Sequence, residues 1–200
     1  QQVSLLLNQM NFSPIGFMPV KRIECVTEIR HGRRTAEIEA VELAAAEYAP
    51  GETVAATVTL RAHKGARHRI PMTLKLPADL PEGSYTVNFG DDLNQARQEL
   101  RDNPHLIFPR ALDDVYQAMK TISSAKRSNL VMRLPTREIG VSVDGKSLPH
   151  LPGSMVQILA GTRRTGVQHI GGSIVARQAT PFVITGAGDS IRFTASKEKK

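Results

Sequence analysis

Between Thr53 and Asp91 the apolar positions recur every second residue. VAATVTLRAH sets Val54, Ala56, Val58 and Leu60 against Ala55, Thr57, Thr59 and Arg61, the signature of a half-buried strand. The preceding APGET carries Pro-Gly, a turn pair. KGAR (64–67) reads as a hairpin loop, and HRIPMTLKLP follows with Ile70, Met72, Leu74 and Leu76 on one face. After the turn ADLPEG, SYTVNFGD places Tyr85, Val87 and Phe89 in register. Short strands separated by Pro and Gly turns predict an antiparallel β-sandwich.

The flanking segments are more mixed. Residues 1–20 are apolar but broken by Pro14, Gly16 and Pro19, and read as a lead-in. KRIECVTEIR (21–30) alternates Ile23, Cys25 or Val26, and Ile29 with charges, as a strand would. In TAEIEAVELAAAEY the Glu and Ala content favours helix, whereas the alternation of Ala36, Ile38 and Ala40 favours strand. With β neighbours on both sides, a strand over 35–43 is expected.

Past Asp91 the period changes. DDLNQARQELRDN holds good helix formers, with Asp91 or Asp92 able to cap its start. LDDVYQAMKTISSA places Leu112, Val115, Met119 and Ile122 at helical spacing, which predicts an amphipathic helix packed on the core. SNLVMRLP, GGSIVARQ, TPFVITG and DSIRFTAS return to strand patterns. The expected fold is mainly β with a small α component: an immunoglobulin-like antiparallel β-sandwich with a helical insertion and a C-terminal set of strands. The expected organisation is a lead-in over 1–20, a sandwich over 21–90, and helix, hairpin and C-terminal strands over 91–200. Two arrangements stay open. Residues 91–200 form a second domain, or their strands complete the first sheet.

Composition adds limits. The 200 residues include 40% hydrophobic and 22% charged residues, a globular balance. With no Trp and 4% aromatics, the core rests on Val, Ile, Leu and Ala. The net charge of +7 permits an acidic partner without demanding one. Lys and Arg look dispersed, with only the terminal KEKK as a run, and no nucleic-acid-binding motif accompanies them. A basic nucleic-acid-binding module is therefore a secondary reading. No apolar run reaches the ~18 residues of a membrane-spanning helix. The one cysteine, Cys25, precludes an internal disulfide. It fits a small buried hydrophobe better than a nucleophile, which would need a positioned His.

GVSVDGKS (140–147) satisfies the spacing of a phosphate-binding loop through Gly140, Gly145, Lys146 and Ser147. The intervening residues argue against that function. Val141-Ser142-Val143 is strand chemistry, and Asp144 would repel a phosphate. Asp144-Gly145 is a favoured hairpin turn pair. Pro149 and Pro152 oppose the helix that such a loop must open. A hairpin, and no nucleotide, is expected. The six histidines show no two-His ligand spacing on a helix, so no metal or other cofactor is expected. Ser154 in LPGSM and Ser173 in GGS are the candidate nucleophiles of a serine hydrolase, although turns and strands explain both.

Several motifs resemble the later region of large bacterial proteins that carry a SpoIVB-type serine peptidase domain near their N-terminus. These are RIECV, TAEIE, the PGETV strand, IPMTLKLPADLPEGSYTVNFGD, LDDVYQAM, NLVMRL, and above all GVSVDGKSLPHLPGSM, with TPFVITG and IRF at the end. Gly153 stands where the pattern has a second Pro. The resemblance spans Ile23 to Ser196 and carries strand and turn signatures. The peptidase's catalytic residues have no counterparts here. It implies a non-catalytic accessory domain of a larger, exported protein, periplasmic or extracellular, although one cysteine fits a cytoplasmic protein too. The implied partner is an adjacent domain of the same polypeptide or another protein. Leu148, Leu151 and Met155 in the Pro-rich stretch are the expected docking surface.

Overall fold

The computed structural model describes residues 22, 24, 26, 31–107, 109, 111–143, 146–149 and 167–197; for 104, 137–143, 146–149 and 167–171 the backbone alone is described. The expected lead-in, most of the strand over 21–30, and Cys25 lie outside these residues.

The strands are β1 (Thr35–Leu43), β2 (Glu47–Tyr48), β3 (Thr53–Ala62), β4 (Arg67–Lys75), β5 (Gly83–Asp91), β6 (Asn129–Val143), β7 (Lys146–Pro149), β8 (Val167–Ala179), β9 (Val183–Thr185) and β10 (Asp189–Ala195). The helices are α1 (Asp92–Asp102), α2 (Pro104–Ile107) and α3 (Leu112–Ser124). The protein is mainly β. One sheet runs β4-β3-β1-β9, and the other runs β2-β10-β5-β6-β7, with β8 also paired to β6.

The chain divides into two compact units. One comprises 33–95, 126–136 and 173–200, and the other 1–32, 96–125 and 137–172. The first unit has the sandwich-like pair of sheets. Val54, Ala56, Val58 and Leu60 of β3 are buried, as the alternation requires, and join Met72 and Leu74 of β4. The other sheet contributes Val87, Phe89, Leu130, Met132, Leu134 and Phe193 to the same cluster. Burying this much apolar surface is the main term holding the sheets together.

The C-terminal strands return to the first sheets. β10 pairs antiparallel with β5, with Phe193 opposite Tyr85, and Gly90 of β5 lies opposite Val131 of β6. All three helices therefore fall between two hydrogen-bonded neighbours, β5 and β6. The sheets also contain two short parallel pairs, β1–β9 and β2–β10, alongside the expected antiparallel ladders.

Local chemistry explains the turns. Gly51 takes φ +82 behind Pro50, and Glu52 N–H donates to Ala49 O at 3.0 Å, closing a turn that wants glycine at its third position. The Glu52 carboxylate also accepts from Ala49 N–H at 2.8 Å. Gly188 enters β10 so close to β5 that a Cβ there would run into the carbonyl oxygen of Phe89. On the edge strand β4, Pro71 sits mid-strand among Arg67, Arg69 and Lys75. A proline and positive charges on an edge discourage pairing with a second sheet.

In the second unit, Leu100, Leu106, Ala118 and Ile122 form a small apolar cluster. The expected stripe of α3 is corrected here. Val115 and Ile122 are buried as expected, but Leu112 is 63% exposed and Met119 is only half-buried. The buried line runs Val115, Ala118, Ile122 instead. Ala118 joins the cluster with Leu100 and Leu106, while Leu112 lies on the side of the helix that this cluster leaves exposed.

Candidate functional site

The phosphate-loop match resolves into backbone pairing. Gly140 lies opposite Pro149, Val141 opposite Leu148, Ser142 opposite Ser147 and Val143 opposite Lys146. An antiparallel pair with two connecting residues is the hairpin expected from Asp144-Gly145. A phosphate loop instead runs from a strand into a helix N-terminus.

Of the expected docking residues, Leu148 sits on β7 opposite Val141, while Leu151 and Met155 lie outside the described residues. Ser154 also lies outside them. Ser173 occupies a half-buried position within β8. Among the described residues no three His, Cys, Asp and Glu side chains are grouped to hold a metal ion. No helix among them is long and apolar enough to cross a membrane.

Three other features carry chemistry. The first is an apolar face on α3. The helix starts with Ala111 N–H donating to the Asp114 carboxylate at 3.1 Å, and Asp113 and Asp114 complement the positive end of the helix dipole. Leu112, Tyr116 and Met119 then share one side at i, i+4 and i+7. They line an open groove of ≈ 510 Å³ with Asp113 and Val115. Tyr116 is 61% exposed.

His105 belongs to the same unit. Its Nδ1 is buried without a hydrogen-bond partner among the described residues. Burial pushes its pKa below the ordinary 6.5, and the nearby Asp114 charge only partly offsets this. The unfolded chain thus takes up the proton more readily than the folded one. The stabilising preference for the neutral ring is present above the unfolded value and is lost as pH falls through 6.5 toward the folded value. Thermal melts at pH 7 and pH 5 should show a larger loss of midpoint in the native protein than in His105→Gln. Equal losses would remove this residue from the acid response.

The second feature is an acidic pair at the root of the helical insertion. Asp91 caps α1 by accepting from Asn94 N–H at 2.6 Å, and its other oxygen faces Arg127 Nε at 3.4 Å. Asp92 accepts from Arg177 Nε at 2.8 Å, Asn129 Nδ2 at 3.1 Å and Lys126 N–H at 3.3 Å. Both carboxylates are buried, whereas both arginines are about half exposed. Three chain segments meet at Asp92. The pair works as a clamp that ties the end of β5 to the start of β6 and to β8.

The third feature is missed by reading the cations as dispersed. RAHKGARHR (61–69) holds Arg61, Lys64, Arg67 and Arg69 with His63 and His68. The pairing of β3 with β1, extended by His63 N–H donating to Thr35 O at 3.0 Å, brings Arg61 and His63 to the same cavity as Arg33. Some of this charge is neutralised across the sheet. Arg67 makes a two-point contact with Glu39 at 2.7 and 2.8 Å, and this hydrogen bonding holds the Glu39 carboxyl below its ordinary pKa. Arg69 meets Glu42 at 2.7 Å. At the end of the sheet, Arg33, Arg61 and His63 surround a cavity of ≈ 290 Å³. The legible signal was the density of cations within one hairpin.

Compared with protein-family models, curated proteins and solved structures, the chain has no match in any of the three.

Proposed function

We propose that this chain is a non-catalytic interaction domain of a larger, exported bacterial protein, and that it docks or positions an attached serine peptidase domain. One observation carries the reading: α3 buries one apolar line and offers a second to solvent, Leu112 and Tyr116, with the half-buried Met119 beside them in the same groove. Exposed large apolar residues grouped on a helix mark a contact surface more often than chance scatter does. The motif resemblance over Ile23 to Ser196 supplies the occupant, a peptidase domain in the same polypeptide. In this reading the two sheets form an immunoglobulin-like scaffold, and the helical insertion carries the contact face.

The test mixes the chain with the peptidase domain encoded in the same reading frame, followed by calorimetry. Saturable binding is expected. Leu112→Asp and Tyr116→Asp should each weaken it by about tenfold or more, the loss of one buried apolar anchor. Both positions are exposed, so circular dichroism should show an unchanged fold. The reading fails if the two variants bind as the native chain does, or if no peptidase domain is encoded there.

A further inference from the structure

A cavity opens at the end of the β4-β3-β1-β9 sheet and is lined by Arg33, Thr35, Glu37, Arg61, His63 and Thr185. We infer that it binds one tetrahedral oxyanion, a phosphate or sulfate group.

The lining includes two arginines, Arg33 and Arg61, against one carboxylate, Glu37, so the cavity carries surplus positive charge. Arg33 makes no ion pair among the described residues. Arg61 meets Glu37 at 3.4 Å, and both side chains are more than half exposed. Such a pair is long and screened by water, and it yields easily to a stronger acceptor. Guanidinium forks match the oxygens of phosphate two at a time. Thr35, Thr185 and the His63 imidazole add hydrogen-bonding groups around the same space. Thr185 already donates to Ala36 O, but at 3.3 Å that bond is weak. A volume of ≈ 290 Å³ accommodates a phosphate with several waters, each occupying about 30 Å³.

The neighbouring surface favours a single group over a polyanion. Outside the cavity Arg67 and Arg69 are tied to Glu39 and Glu42. Pairing of Arg67 and Arg69 lowers the positive charge along β4 that a nucleic-acid backbone would follow, while the cavity keeps its own.

The experiment is calorimetric titration of the full chain with inorganic phosphate in a low-salt, phosphate-free buffer. One-to-one binding tighter than about 1 mM is expected. Arg33→Gln should weaken it by about tenfold, the loss of one charge-assisted contact. Glu37→Gln removes the competing carboxylate and should tighten binding. Glu42→Gln adds the same unit of charge outside the cavity and should leave binding unchanged. A parallel titration with glycerol phosphate identifies the source. Equal affinity supports a free anion as ligand, and tighter binding supports a phosphate carried on an organic group. The inference is overturned if no saturable heat appears, if Arg33→Gln binds like the native chain, or if Glu37→Gln and Glu42→Gln shift binding equally.

Discussion

Phe193→Ala should cost about 3–5 kcal/mol of folding stability, as expected for truncating a buried aromatic side chain. Phe193 is 2% exposed on β10. Its ring meets Tyr48 edge-on at 5.6 Å between centroids and stacks with Tyr85 at 5.8 Å. Tyr48 is held in turn by its hydroxyl, which accepts from Ala45 N–H at 3.1 Å and donates to Ala55 O at 3.3 Å. The truncation would open a void between three strands, β2, β5 and β10. A domain of this kind has only about 5–15 kcal/mol to lose. Urea unfolding should show a lower midpoint with little change in slope. A loss below about 1 kcal/mol, the scale of an ordinary surface substitution or less, would mean that β10 does not close the core.

Asp92→Ala should be the most damaging change outside the apolar core, at about 2–4 kcal/mol. Arg177 is half exposed and can turn its freed guanidinium to water. The Lys126 N–H and the Asn129 amide lose their acceptor at a part-buried position, and that desolvation is the larger part of the cost. Asp92→Asn keeps an acceptor oxygen and should lose less. Denaturant melts of both variants check the order. Equal, small losses would mean that the clamp does not hold these three segments together.

Much of the fold was legible because period two is hard to counterfeit. Val54, Ala56, Val58 and Leu60 could face one core only if 53–62 was a strand, and they do. β1 was ambiguous because Glu and Ala favour helix; its pairing with β3 on one side and β9 on the other decides it. The capping role of Asp91 was readable from its place before a helical run. Other features depended on tertiary contacts. The face that α3 buries carries Ala118 into a cluster with Leu100 and Leu106, a tertiary contact that hydropathy, which pointed to Leu112, does not encode. Arg33 and Arg61 are far apart in sequence, and only the β1–β3 ladder brings them to one cavity. Asp92 gathers partners from 34 to 85 residues away, which no local pattern encodes.

The central claim is that this chain serves as an interaction domain within a larger peptidase-bearing protein. The intact mass of the native protein, captured from its source and labelled with a fluorophosphonate, tests it most directly. The account predicts a polypeptide well above 21.9 kDa, with the labelled serine outside residues 1–200. A native species near 21.9 kDa, or a label on Ser173 or Ser154, would contradict it.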